Sequence, residues 1–209
     1  MASSLIHMTI AQKINEKLKK DKYQILIESI APDIAKLIGR TKKESHFLED
    51  DGTDIPNIDK FLKKYKKYLF DDFVLGYYIH LYTDYLWFKY FLSEIVEDNL
   101  IKKLDGTVVK VTSKTLSKYI YNDYTNMNEQ LIDKYNIELD IFYNEIPDIS
   151  NIIKEIPMNK LNVIVDKAGI IIANSKIKKD YVFNLENIDK FIETSTDLIL
   201  ANIKELNVY

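Results

Sequence analysis

The sequence predicts an all-α fold, a single multi-helix bundle spanning residues 1–209. Three observations predict it. Only five Gly and four Pro are present, too few for the turns that many short strands need. The chain is rich in Leu, Ile, Lys, Glu and Asn, and its apolar residues recur at helical spacing over most of its length. No Pro-, Gly- or Ser-rich linker or charge block divides the 209 residues, a length that one well-filled core accommodates.

The elements follow in order. A first helix begins near Leu5, where Ile10, Ala11, Ile14 and Leu18 fall on one face with Gln12, Lys13, Asn15 and Glu16 turned outward. His7 lies on the apolar face, so its imidazole points to the core and needs a partner there. A second apolar run over 23–30 ends at Ala31-Pro32; proline disfavours helical geometry in the residue before it, which puts Asp33 at a helix break. Residues 40–56 have weak periodicity, placing His46 on a loop or short helix. Residues 57–69 read as an amphipathic helix, with Phe61, Leu62, Tyr65, Tyr68 and Leu69 on one side and five lysines largely on the other.

The central helix is expected over 71–97 and carries both His80 and Asp84, while Gly76 permits a neighbouring helix to approach closely. Asp105-Gly106 marks a turn, and TVVKV at 107–111 can form a strand. Leu116, Ile120, Tyr124, Met127 and Leu131 then give the inward stripe of a helix running to about Tyr135. Pro147 and Pro157 punctuate a short element, and residues 161–173 read as a helix despite β-branched residues and Gly169. The last helix, over 185–206, is capped by Asn184 and carries Ile188, Phe191, Ile192, Leu198, Ile199 and Ile203 as an apolar face.

Composition excludes several functions. A formal net charge of −3 and a single arginine, Arg40, argue against specific nucleic-acid recognition, which leans on bidentate arginine contacts. Without cysteine there is no disulfide, thiolate metal site or cysteine nucleophile. The N-terminus has no basic segment followed by a long apolar core, so a cytoplasmic location is expected. The most hydrophobic stretch, residues 70–96, is interrupted by Asp71, Asp72, His80, Asp84, Lys89 and Glu94, as a lipid-facing span would not be. Ser45 beside His46 lacks a nucleophile-elbow context, and the glycines are too scattered for a phosphate-binding loop.

What remains is a metal site of nitrogen and oxygen donors. His80 and Asp84, four apart on a helix, stack on one face amid Tyr78, Ile79, Leu81, Tyr82, Tyr85, Leu86 and Trp87, where a bare carboxylate is costly. The pair admits two readings, a buried hydrogen-bonded couple or two ligands of one cation. Placement of the only three histidines, His7, His46 and His80, near apolar stripes or a helix break favours the second. Asp123, on a helix whose inward stripe includes Ile120, Tyr124 and Met127, offers an oxygen to a second metal or serves as a solvated or capping aspartate. Mixed His/carboxylate ligation suits Zn²⁺, and also Fe²⁺, Mn²⁺ or Ni²⁺. An adjacent His-Asp doublet, which the helical HD-type phosphohydrolases need, is absent.

His7 in the first helix, IAPD at 30–33, SHF at 45–47 and HLYTD at 80–84 together resemble the zinc-dependent phospholipase C family. The resemblance covers roughly the first 85 residues. It implies an all-helical fold shared with the single-strand-specific zinc nucleases and hydrolysis of a phosphoester, of a phospholipid or another phosphodiester. It also implies that Asp33, His46, His80 and Asp84 form one zinc site, with Asp84 bridging to a metal that His7 also binds. Asp33 would in addition orient the attacking water. The family's remaining site uses two later histidines and a glutamate, plus a free N-terminal amine exposed by removal of a leader. Here no histidine follows His80 and no leader is read, so one or two ions are expected rather than three. The alternative is a non-catalytic protein that keeps the metal or a buried polar cluster. Lysines 60, 63, 64, 66 and 67 suit either an anionic membrane surface or an ordinary solvated face.

Overall fold

A computed structural model describes residues 1–149, 151–176 and 179–207. The chain is mostly helical with one small antiparallel sheet. Helix α1 (Ser4–Leu18) starts where the Ser3 side chain accepts from the Ile6 amide, and α2 (Lys22–Glu28) starts on an Asp21 cap. A 3-10 turn, Ala31–Asp33, with proline in its first positions, then leads into the single turn of α3 (Ile34–Leu37). Helix α4 (Ile58–Tyr65) is capped by Asn57, buries Phe61 and Tyr65, and tightens into a 3-10 turn over Lys66–Tyr68. Two of its outward lysines are engaged, Lys64 with Glu155 and Lys60 with Glu49.

The central helix is shorter than the hydrophobic run suggests. Helix α5 (Asp72–Leu86), capped by Asp71, passes into a π turn at Trp87–Phe91 and a 3-10 turn at Leu92–Glu94 instead of continuing to residue 97. The π turn keeps Trp87 in the core, its ring 4.4 Å from that of Phe91 and in edge contact with Phe183 and Phe191. Three short strands follow, β1 (Val96–Glu97), β2 (Leu100–Lys102) and β3 (Val108–Lys110), paired in that order. The β1–β2 hairpin turns on Asp98 and Asn99, both at positive φ (47° and 62°), the backbone that a two-residue hairpin loop needs. TVVKV thus supplies β3, paired with β2, while β1 at the far edge occupies the last two residues of the stretch expected to be helical.

Helix α6 (Ser113–Tyr135) opens on a Thr112/Thr115 capping box, and α8 (Leu185–Glu205) on the Asn184/Asn187 equivalent. Helix α7 occupies Leu161–Ala173, as the sequence predicts. Between Pro147 and Pro157 the described residues form no helix or strand. The core is one contiguous cluster in which α1 meets α2, α5 and α8. Helices α2 and α5 approach most intimately at Gly76, where an added Cβ would lie 2.8 Å from both the Glu28 Cβ and the Ile25 carbonyl oxygen. That approach seats His80, one turn further along α5, against the end of α2. No helix among the described residues is long and apolar enough to cross a membrane.

Candidate metal centre

Four side chains from three segments converge: Asp33, His46, His80 and Asp84 each offer an atom within 4.8 Å of the others. The 3-10 turn at Pro32 aims Asp33 inward, leaving its side chain only 10% exposed. His46 comes from a turn in which its amide donates to the Lys42 carbonyl at 2.8 Å. The next residue, Phe47, sits at φ 54° and inserts between Phe61, Tyr65 and Tyr77, so two adjacent side chains are both buried. His80 and Asp84 come from one face of α5, both fully buried.

The hydrogen bonds fix which histidine atoms face the centre. His80 Nδ1 lies 2.8 Å from the Ser29 carbonyl oxygen, an acceptor only, so Nδ1 carries the proton and Nε2 presents a lone pair. Burial and the neighbouring His7 push the His80 pKa well below its ordinary value, which keeps the ring neutral. His46 Nε2 is 3.3 Å from the Lys42 ammonium, a donor only, and its Nδ1 is 2.9 Å from Ser45 Oγ, so here too Nε2 is bare. The two bare nitrogens face each other at 3.2 Å. Around them lie Asp33 Oδ1, 3.3 Å from His46 and 3.9 Å from His80, and Asp84 Oδ2, 3.5 Å and 3.9 Å away.

Such a set of lone pairs repels itself unless cations offset it, and the Lys42 ammonium reaches only the Asp33 and His46 side. Asp84 Oδ2 has no hydrogen-bond partner among the described residues, although burial without a partner is costly. Donors held about 2.1 Å from a tetrahedral ion lie roughly 3.4 Å apart, close to the separations seen. The residues therefore fit a metal, and the His₂Asp₂ donor set does not select which. Burial alone would raise both carboxyls; the Lys42 ammonium and His46 nevertheless hold Asp33 below the usual carboxylate range, and His46, His7 and the amino terminus hold Asp84 there. No family model, curated protein or solved structure matches the chain.

His7 lies beside the four. Its ring stacks on that of His80 at 3.9 Å and its Nε2 is 3.3 Å from Asp84 Oδ1, yet neither ring nitrogen has a hydrogen-bond partner among the described residues. Asp84 Oδ1 instead accepts from the Ala2 amide at 2.9 Å. Asp123 does not join the centre. Its carboxylate accepts the amides of Tyr181, Val182 and Phe183 at 2.9, 2.7 and 3.2 Å and the Asn122 side chain at 3.1 Å, tying the chain before α8 to α6. Those backbone donors need an acceptor where no strand supplies one, so its lone pairs are spent on structure.

Three supporting groups escape a sequence reading: the Ser29 carbonyl, Ser45 Oγ and Lys42. Lys42 precedes His46 by four residues, and that spacing is the one signal available in a stretch otherwise without pattern. A cavity of about 250 Å³ opens onto His46 and Asp84, with Lys36, Lys42, Tyr121 and Tyr124 on its wall. A second, mainly apolar cavity of about 330 Å³ reaches Asp33 and is lined by Leu5, Leu37, Ile164, Ile171 and Ile172.

Proposed function

We propose that the protein is a metal-dependent phosphoesterase resembling the zinc-dependent phospholipase C family, with Asp33, His46, His80 and Asp84 holding an ion, Zn²⁺ first among Fe²⁺, Mn²⁺ and Ni²⁺. The observation that carries the reading is the pair of unprotonated imidazole nitrogens, 3.2 Å apart beside an Asp84 oxygen that has no hydrogen-bond partner among the described residues, with His46 and Asp84 lining a cavity. When bound, such an ion supplies a water of lowered pKa and polarises a phosphoryl oxygen. The chain's own residues do the rest. Lys36 and Lys42 draw the anionic phosphoester into the 250 Å³ cavity. Asp33, held ionised by Lys42 and His46 and 10% exposed, would orient the water. The adjoining apolar cavity takes the uncharged portion of the substrate.

A second reading has its own support: four protein ligands complete a tetrahedral shell, the arrangement of structural rather than catalytic zinc. Elemental analysis and turnover separate the two. Purified protein should carry at least about one equivalent of transition metal, lost in both His80→Ala and Asp84→Ala. The loaded wild type should hydrolyse bis(p-nitrophenyl) phosphate or phosphatidylcholine vesicles at least about a hundredfold faster than either variant. Metal without turnover on either substrate leaves the structural reading, and no metal after supplementation removes both.

A further inference from the structure

Lys42 has more to do at this centre than neutralise a carboxylate. Its ammonium contacts Asp33 Oδ1, lies 3.3 Å from His46 Nε2 and reaches the Met1 sulfur at 3.1 Å. Asp33 Oδ1 and His46 Nε2 are two of the four atoms that would ligate an ion. A lone pair committed to an ammonium proton cannot also bind a metal, and two cations side by side in a buried site repel strongly. The ammonium leaves the other half of the centre unserved, since Asp84 Oδ2 keeps no hydrogen-bond partner among the described residues. Lysine, a point charge on a flexible four-carbon stem, can swing out of such a position when a metal ion takes its place. The wall of the 250 Å³ cavity, which Lys42 already lines beside Lys36, gives it somewhere to go.

We propose that Lys42 is a built-in placeholder cation, seated on half of the ligand set in the metal-free protein and displaced into the cavity when metal enters. The proposal rests on the metal reading of the centre. Metal affinity is then set partly by the ease of expelling Lys42, and the metal-free protein stays folded because its buried Asp33 is never unpaired.

The test is a competition titration of Zn²⁺ against a chromophoric chelator at pH 7, using wild type, Lys42→Met and Lys42→Arg. Lys42→Met should bind Zn²⁺ at least about tenfold more tightly than wild type and, without metal, melt at a lower temperature. Lys42→Arg, which keeps the competing charge, should bind no more tightly than wild type. Equal or weaker binding by Lys42→Met, or tightening by both variants, overturns the placeholder while leaving the metal centre standing. Absence of binding in all three proteins overturns both. If Lys42→Met is unfolded without metal, recovery of its helical circular dichroism on adding Zn²⁺ supports the proposal, and failure to recover overturns it.

Discussion

Glu28 is fully buried at the end of α2, and neither carboxyl oxygen has a hydrogen-bond partner among the described residues. Burial, reinforced by Asp71, raises its pKa well above the ordinary value. The unfolded chain releases this proton above about pH 4.3 while the folded chain retains it, so the group costs stability as pH rises. Glu28→Gln should therefore match wild type near pH 4 and exceed it increasingly toward pH 7, by up to about 1.4 kcal/mol per pH unit. Urea unfolding at three pH values measures the difference, and a gap that does not change with pH would refute the assignment. Sequence reading singled out His80 and Asp84 because their chemistry is rare in apolar surroundings, and joined Asp33 and His46 to them through the resemblance of the motifs that carry them. It missed Glu28, whose burial no local pattern announces, and for Asp123 it left a metal ligand and a solvated or capping aspartate open, since an inward position carries no information about which donors it meets.

Between elements, the closest constraint is Gly76 against α2. Its substitution by alanine would drive a methyl group into the Ile25 carbonyl and the Glu28 Cβ, both at 2.8 Å, and backbone cannot move aside as a side-chain tip can. Gly76→Ala should cost about 1–3 kcal/mol. Gly169 in α7 is the matched control, because the nearest atoms to its added Cβ belong to the Phe142 side chain, at 3.3 Å or more. There the better helix propensity of alanine, worth about 1 kcal/mol, offsets the crowding. Thermal or urea unfolding of the two variants compares them, and equal losses would contradict the packing described. The special role of Gly76 was legible from one glycine in an apolar helix. The end of α5 was not, since Trp87 and Phe91 satisfy a helical pattern as well as they fill the aromatic core that ended it.

At the level of the whole molecule, the centre joins segments distant in sequence, with Asp33 from the turn after α2, His46 from the loop before α4, and His80 and Asp84 from α5. A bound ion stabilises the folded chain by about 2.7 kcal/mol at a free concentration of 100 times Kd. For a chain of 209 residues that corresponds to a melting point roughly 5–10 °C higher than after chelation. Scanning calorimetry of chelator-treated and Zn²⁺-supplemented protein reads this directly. Equal melting points would mean that the four side chains make a buried polar cluster and nothing more.

Helical periodicity determined the main helices on its own, because apolar spacing and caps such as Asn57, Asn184 and Thr112 act within a few residues of chain. The same locality exposed His80 and Asp84 as one face of a helix. Whether a histidine nitrogen is bare depends on an acceptor 51 positions away, the Ser29 carbonyl, and on a lysine whose loop has no periodicity. The turn at Asp98-Asn99 likewise needs β2 in place before its positive φ angles have a purpose. Tertiary structure decided these features, since hydrogen-bond direction and the sharing of lone pairs are set by atoms meeting in space, which spacing along the chain does not encode.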